Sequence, residues 1–490
     1  MRPYSLGEIT GLVGGVLLHG DPAARFTGVT TDSRSVVVGD LFGALVGERS
    51  DGHNFVEEVF RKGAGGAIIE HPVSGLRDVL NTEDAAGRFG LVSVKSTVGA
   101  LQALARSYRR ELSSTVVGIT GSVGKTSTKD LVCSVLATQF TTFGNPGNLN
   151  SHIGLPLALL AVDGSPQYVV LEMAMRARGE VTELCEIARP HIGILTDISL
   201  SHVGVLGSIE EIALAKAEIL GSLPPGGVAI ASGDNEWVRR MSDRAGRPVC
   251  YYGLTDGCDV QAVDVRAMSA DGSEFAVRLR GDLAAKAASE GPLDFRLTVP
   301  GLHQVHNALA AIAVGFVAGI PYPRIREGLE NAVMSPMRLQ VTTAGGITII
   351  NDAYNASPKS MRSALDLLSQ TGSGRKIAVL GDMLEMGDYG PAAHREVGEY
   401  ARSRASYLAC AGDLAREIMT GWGSARDHAR DATGAAGSSS WFPDKLHLQR
   451  FLKEFLREGD TCLVKASRGM GFESVVASLS GGAEVRHDAD

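Results

Sequence analysis

Short apolar runs ending in polar or glycine-rich turns alternate with amphipathic stretches along nearly the whole chain. Runs of about four to eight β-branched and apolar residues predict buried strands, while apolar positions at three- and four-residue spacing predict helices. Thr115 to Thr120 (TVVGIT), YVVLEM (168–173) and HIGILTDI (191–198) are of the first kind, with helical stretches between them. That alternation predicts a mainly parallel sheet covered on both faces. TVGALQALARSYRREL (97–112) has apolar residues at helical spacing and a charged end, and reads as a connecting helix. Before it, Gly39-Asp40 precedes LFGALVG and Asp51-Gly52 precedes HNFVEEVFRKGAGGAIIE, a mixture that predicts a small α/β unit.

Between residues 259 and 300 the texture changes. DVQAVDVRAMSADGSEFAVRLRG and DFRLTVPG read as antiparallel strands around an Asp271-Gly272 turn, an accessory sheet on the central unit. After about residue 334 a second alternating series begins, with ITIIND (347–352), KIAVLGD (376–382), SYLACAG (406–412) and TCLVKAS (461–467) each ending in a polar loop. It predicts a separate open α/β sheet with functional residues at its strand C-termini. The Gly, Ala and Ser-rich stretch 421–440 reads as a surface loop, and 481–490 as a frayed end.

With 490 residues the chain exceeds what one core serves. The expected fold is α/β in three domains. A small α/β domain spans 1–97, and a central parallel-sheet domain with accessory antiparallel strands spans 98–333. A Rossmann-like domain spans 334–490.

A formal net charge of -8 argues against a general nucleic-acid binder, which needs a basic surface, but leaves room for a local basic pocket. The cysteines, Cys133, Cys185, Cys250, Cys258, Cys410 and Cys462, form no CxxC pair and no zinc spacing, as in a protein of a reducing compartment. MRPYSLGEITGLVGG lacks a signal-peptide pattern, and no run approaches the roughly 20 apolar residues of a membrane span. A cytoplasmic protein with no membrane insertion, and a monomer, is expected.

The most informative segment is TVVGITGSVGKTSTKDLVCSVLATQF (115–140), a strand, a glycine-rich turn and a helix in that order. Backbone N–H groups of such a loop (Gly121, Ser122, Val123, Gly124, Lys125, Thr126 and Ser127) converge on phosphate oxygens, and the helix N-terminus adds partial positive charge. Lys125 would neutralise β/γ-phosphates and Thr126 would offer its hydroxyl to Mg²⁺. The general pattern G-x-x-x-x-G-K-[ST] wants glycine at 119, where Ile119 stands; the glycines are at 118, 121 and 124.

That shifted loop resembles the Mur ligase superfamily. So do, in order, TDSRSVVVGDLFGALVGERSDGHNF (31–55), GNPGNLNSHIGLPLALL (144–160), LEMAMRARGEV (171–181), the run from Pro190 to Leu220, GLHQVHNALAA (301–311), MRLQV (337–341), INDAYNASPKSMRSAL (350–365), LGDMLEMG (380–387), HREVG (394–398) and KASRGM (465–470). Within the family, the 350–398 segments are similar to members that join D-alanyl-D-alanine to UDP-N-acetylmuramoyl-tripeptide.

The resemblance implies ATP and two Mg²⁺ ions, with a carboxylate activated by phosphorylation and then attacked by an amine. It makes Glu172, at the end of an apolar strand, a metal ligand, where the bare residue would read as a strand-end carboxylate capping a local N–H. It makes His202, otherwise an ordinary loop histidine, a second ligand. Lys216, otherwise a solvated helix lysine, becomes a carbamylated residue that helps hold the second ion. Lys125, Glu172, His202 and Lys216 are thus the expected catalytic group, and Thr126 joins the last three as metal ligands.

By the same resemblance Asn307, in the segment that also holds His303, contacts adenine, Arg338 reaches the ATP phosphates, Asp352 meets the ribose and Tyr354 flanks the base unless it is core packing. Thr31, Asp32, Ser33, Arg34 and His53 would grip the uridine diphosphate, Asp32 and Arg34 being equally readable as a surface pair. Asn148 and Asn150 would meet the first substrate, Asn355 would line the cleft, and Ser360, Lys465, Ser467 and Arg468 would receive the dipeptide. Another Mur-type or a folylpolyglutamate-type amide ligase is the neighbouring alternative, and a catalytically dead Mur-like binding protein a further one. A guanine-nucleotide switch would offer an NKxD motif, which is missing. One site shared by three domains implies closure that brings Arg338 and Asp352 to Lys125 and Thr126.

Overall fold

The computed structural model describes residues 1–47, 50–73, 89–201, 203–269, 272–287, 291–424 and 438–481. Its central element is a nine-stranded sheet. The phosphate-loop strand Thr115–Thr120 lies between Ile192–Leu195 and Tyr168–Glu172, parallel to both. Thr142–Gly144 forms one edge, and Val228–Ser232, Val249–Gly253 and Val260–Ser269 continue the parallel order on the other side.

Neighbouring residues of the phosphate-loop strand bury into opposite layers. Val116 packs with Leu171, Leu184 and Ile219, whereas Val117 and Ile119 pack with Leu131, Val135, Leu309 and Ile312. Burial on both faces explains why the strand reads as an unbroken apolar run without alternation. The second layer is built by the helix Lys125–Ala137 against helices Leu302–Val317 and Tyr322–Glu330.

The accessory antiparallel strands expected on the central domain are present, built directly onto the edge of the central sheet. Gly272–Leu279 pairs antiparallel onto Val260–Ser269, and Leu293–Leu297 pairs antiparallel onto Gly272–Leu279, so both extend the same sheet at its edge. Parallel pairing of Tyr252 with Val260 joins the two parts. Asp271 of the expected turn lies outside the described residues.

The second alternating series forms a six-stranded sheet in the order 340–344, 347–351, 461–465, 376–381, 407–411, 438–442, parallel except for its first strand. The expected loop at 421–440 is corrected at both ends. Gly421–Ser424 close the helix Ala415–Ser424, where Trp422 is buried, and Ser438 opens the last strand; 425–437 lie outside the described residues. So do 482–490.

The first domain carries a five-stranded sheet in the order 16–19, 90–93, 66–69, 41–43, 29–30, and a two-stranded one. The helix Thr97–Glu111 follows, its N-terminus capped by Ser96, whose hydroxyl accepts from Gly99 N. All six cysteines are free. Among the described residues no helix is long and apolar enough to cross a membrane.

Candidate active site

The phosphate loop leaves the middle of the central sheet, and its backbone needs glycine at two points. Gly121 has φ +154, and a Cβ there would sit 2.0 Å from Thr196 Oγ1; Gly124 has φ +88, and a Cβ would meet Asn307 Oδ1 at 2.5 Å. The sequence-level misfit at Ile119 is thereby explained. That residue is a fully buried strand position, and the turn begins only at Gly121. Ser122 N donates to Asp197 O (2.8 Å), and Thr196 Oγ1 donates to Val123 O (2.7 Å), so the loop is braced by the segment that follows Leu195.

Two lysines converge on one atom. Lys125 Nζ donates to Gly121 O at 2.9 Å, and Lys216 Nζ, from the helix Ile209–Gly221, donates to the same oxygen at 3.1 Å. Burial, then the neighbouring Lys125 charge, pushes the Lys216 ammonium well below its usual range; burial also lowers Lys125.

Thr126 Oγ1 donates to Glu172 Oε2 (2.5 Å), and Asn150 Nδ2 donates to Glu172 Oε1 (2.9 Å). Glu172 is buried, and its backbone N donates to Asn145 Oδ1 (2.8 Å). Hydroxyl and carboxylate oxygens of this kind suit a hard cation such as Mg²⁺ rather than a thiolate-seeking metal. His202 lies outside the described residues.

From the other side, the C-terminal sheet presents the ends of its strands. Asp352, following Ile347–Asn351, accepts Lys465 Nζ at 2.5 Å, and Lys465 also donates to Asn355 O (2.8 Å). Burial raises the Asp352 carboxyl. The Arg338 guanidinium lies 4.2 Å from the Tyr354 ring centre, with Arg468 at 5.7 Å. Ser360 belongs to the capping box of the helix Pro358–Gln370, and Ser467 Oγ accepts from Leu384 N.

These groups line one cavity of about 1100 Å³. Its walls include Ser122–Ser127, Asn148, Asn150, Glu172, Asn307, Arg338, Asp352, Tyr354, Asn355, Ser360, Lys465, Ser467 and Arg468. His303 is also there, its imidazole pushed down to about 4, chiefly by burial.

Thr31, Asp32, Ser33, Arg34 and His53 are not among the lining residues. Asp32 and Arg34 pair with each other, Arg34 Nη2 to Asp32 Oδ2 at 2.8 Å. His53 is buried, with Nδ1 at 2.6 Å from Asp51 Oδ1 and Nε2 accepting from Glu70 N at 2.8 Å. Both its ring nitrogens are used internally, so His53 shapes this segment rather than offering a free polar atom. The same usage weighs against a metal at Asp51, His53 and His71, although their ligand atoms cluster within 4.8 Å.

Asp197 is a site residue that motif reading missed. It is 5% exposed, and its carboxylate accepts Asn235 Nδ2 (2.8 Å), Ser199 Oγ (2.7 Å) and, from the C-terminal domain, Lys359 Nζ. The available signal was its place just beyond the strand Ile192–Leu195, the same argument that singled out Glu172.

A phosphate loop facing a second strand-end surface across one cleft defines a nucleotide-dependent enzyme of the joining or transfer class. Family models agree with the geometry: the Mur ligase catalytic domain matches residues 25–109, the Mur ligase middle domain 119–315 and the Mur ligase glutamate ligase domain 337–468. A UDP-N-acetylmuramoyl-tripeptide–D-alanyl-D-alanine ligase from Bacillus subtilis is 38% identical over 455 residues, 92% of this chain and 93% of that one. A crystal structure of MurF from Acinetobacter baumannii superposes with a TM-score of 0.84 at 28% identity, covering 98% of this chain and 99% of the other. MurF from Thermotoga maritima in complex with ADP gives 0.77 at 27% identity, covering 94% and 98%. The chain belongs to the Mur ligase family.

Proposed function

We propose that this chain is an ATP-dependent amide ligase that joins D-alanyl-D-alanine to UDP-N-acetylmuramoyl-tripeptide in peptidoglycan precursor synthesis. One observation carries the reading. The phosphate loop of the central sheet and the strand ends of the C-terminal sheet line a single cavity, in a chain related over nearly its full length to ligases of that name.

Joining a carboxylate to an amine in water requires activation. A carboxylate oxygen of the tripeptide attacks the γ-phosphorus, and the bond to the ADP oxygen breaks. The dipeptide amine then attacks the acyl-phosphate carbonyl carbon, loses a proton and expels phosphate. In this reading the loop N–H groups of Gly121–Ser127 and the Lys125 ammonium hold the phosphates, and Arg338 approaches them from the other domain. Asn307, Asp352 and Tyr354 surround the nucleoside. Asn148, Asn150 and Asn355 border the acyl centre, while Ser360, Ser467 and Arg468 receive the dipeptide. Lys465 acts through Asp352, which it holds. Thr31, Asp32, Ser33 and Arg34 meet the uridine diphosphate from the first domain, with His53 in support.

Thr126 and Glu172 would hold Mg²⁺, which when bound offsets charge on the phosphate oxygens. A second ion is assigned to His202 and to a carbamylated Lys216. Burial of that amine supports its unprotonated, CO₂-accepting form. The working state is a cytoplasmic monomer of three domains, divided near residues 97 and 333.

The test is phosphate release from ATP and Mg²⁺ with purified UDP-muramoyl-tripeptide. Release that requires D-alanyl-D-alanine and yields the pentapeptide is expected. Equal release with single amino acids, or with a folate acceptor, would sink the assignment.

A further inference from the structure

Arg338 lies on the segment that crosses from the central to the C-terminal domain, and something must fix where that segment starts. Ser335 N donates to Asp130 Oδ2 at 2.8 Å, and Asp130 stands on the same helix as Lys125. The Asp130 side chain is 9% exposed and lies 3.2 Å from Lys129 Nζ, itself buried and donating to Asn145 O at 2.9 Å. Asn145 in turn accepts Glu172 N through its side-chain oxygen. A buried polar chain therefore runs from the strand end that bears Glu172 to the first residue of the crossing segment.

The far end of that segment is fixed as well. Leu339 N donates to Asp352 Oδ1 (3.3 Å), and Tyr354 N donates to Met337 O (3.4 Å). Between the two anchors the backbone is strained. Met337 has φ 59 and Leu339 has φ 53, left-handed conformations that side-chain-bearing residues hold only when the surroundings impose them. Both side chains are 5% exposed, so they are packed in place. Arg338 sits between these two strained residues, over Tyr354 and close enough to help lower Lys125.

We propose that Asp130 is a positioning residue for Arg338: by holding Ser335 N, it ties the crossing segment to the phosphate-loop helix and sets the guanidinium against the bound nucleotide. The inference rests on the phosphate role given to Arg338 above. A merely structural Asp130 would stabilise the chain without favouring one substrate, and that difference is measurable.

The experiment is a double-mutant cycle on the full chain, read as kcat and KM for each substrate together with thermal unfolding. A buried hydrogen bond to a charged group corresponds to roughly tenfold or more in affinity. Asp130→Ala is therefore expected to lower kcat/KM for ATP about tenfold, with KM for the UDP-substrate nearly unchanged. Asp130→Asn keeps an acceptor oxygen for Ser335 N and should restore most of the loss. In an Arg338→Ala background, Asp130→Ala should add less than about twofold. If Asp130→Ala does not fold, Asp130→Ser, too short to reach Ser335 N, takes its place in the cycle. A full loss in both backgrounds, or equal losses for all three substrates, overturns the inference while leaving Arg338 its role. An Arg338→Ala variant with unchanged ATP kinetics overturns the role of Arg338 itself.

Discussion

Lys125 and Lys216 donate to the same carbonyl oxygen, at 2.9 and 3.1 Å, and two ammonium ions so placed repel each other. Lys216 is 1% exposed, so desolvation acts first and the Lys125 charge second. A lowered pKa leaves more neutral amine at neutral pH, and CO₂ adds to the neutral amine with release of a proton. Falling pH therefore works against the carbamate twice, by protonating the amine and by mass action. Activity should become more dependent on added bicarbonate as pH falls, since burial and the Lys125 charge hold the amine neutral well below a lysine's usual range and only acidification protonates it. Lys216→Ala should lose at least about a hundredfold in kcat and regain part of it with short carboxylic acids. Bicarbonate-independent activity throughout, with Lys216→Ala unimpaired, would remove the carbamate from the mechanism. Nothing in the helix pattern of EEIALAKAEIL distinguished this lysine from a solvated one. Family resemblance marked it, whereas its burial comes from packing against a loop 95 residues earlier.

At the level of elements, the strand, glycine loop and helix at 115–137 were legible because each rests on local chemistry: β-branched residues, φ-permissive glycines, then helix formers. Gly124 tests how tightly the loop is coupled to its surroundings. Alanine there would carry about 1–2 kcal/mol of left-handed strain, and its Cβ would press on Asn307, a residue of another helix. Gly124→Ala should lower thermal stability by several degrees and weaken ATP binding at least about tenfold, read by calorimetry. Unchanged ATP affinity would mean that the loop and the helix Leu302–Val317 move independently. The joining of parallel and antiparallel strands into one sheet was not legible, since the choice of strand partners leaves no local mark. Asp197 was legible in principle: it follows a buried strand just as Glu172 ends one.

Three sheets were readable along the chain, but their mutual placement was not, because it rests on contacts between distant segments. The clearest is the ion pair of Lys359 with Asp197, 162 residues apart, which joins the C-terminal domain to the segment bracing the phosphate loop. Gly204 N, donating to Glu385 O at 3.1 Å, adds a second bridge beside it. Lys359 stands in the first turn of the helix Pro358–Gln370, where a cation opposes the helix dipole, so its position does not serve the helix. It joins the two domains across the cleft instead. The lysine is half exposed, so solvent screening limits the pair to about 1 kcal/mol or less, a bias of up to roughly fivefold between closed and open states. Lys359→Met should therefore enlarge the ligand-free molecule measurably in solution scattering and raise KM for ATP by no more than that factor. Because the interaction is screened, about 0.5 M salt should loosen the unaltered chain in the same way and have little further effect on the variant. If salt expands both equally, the charge pair is not what holds the domains together, and closure must rest on the backbone contact at Gly204 and on the substrates themselves.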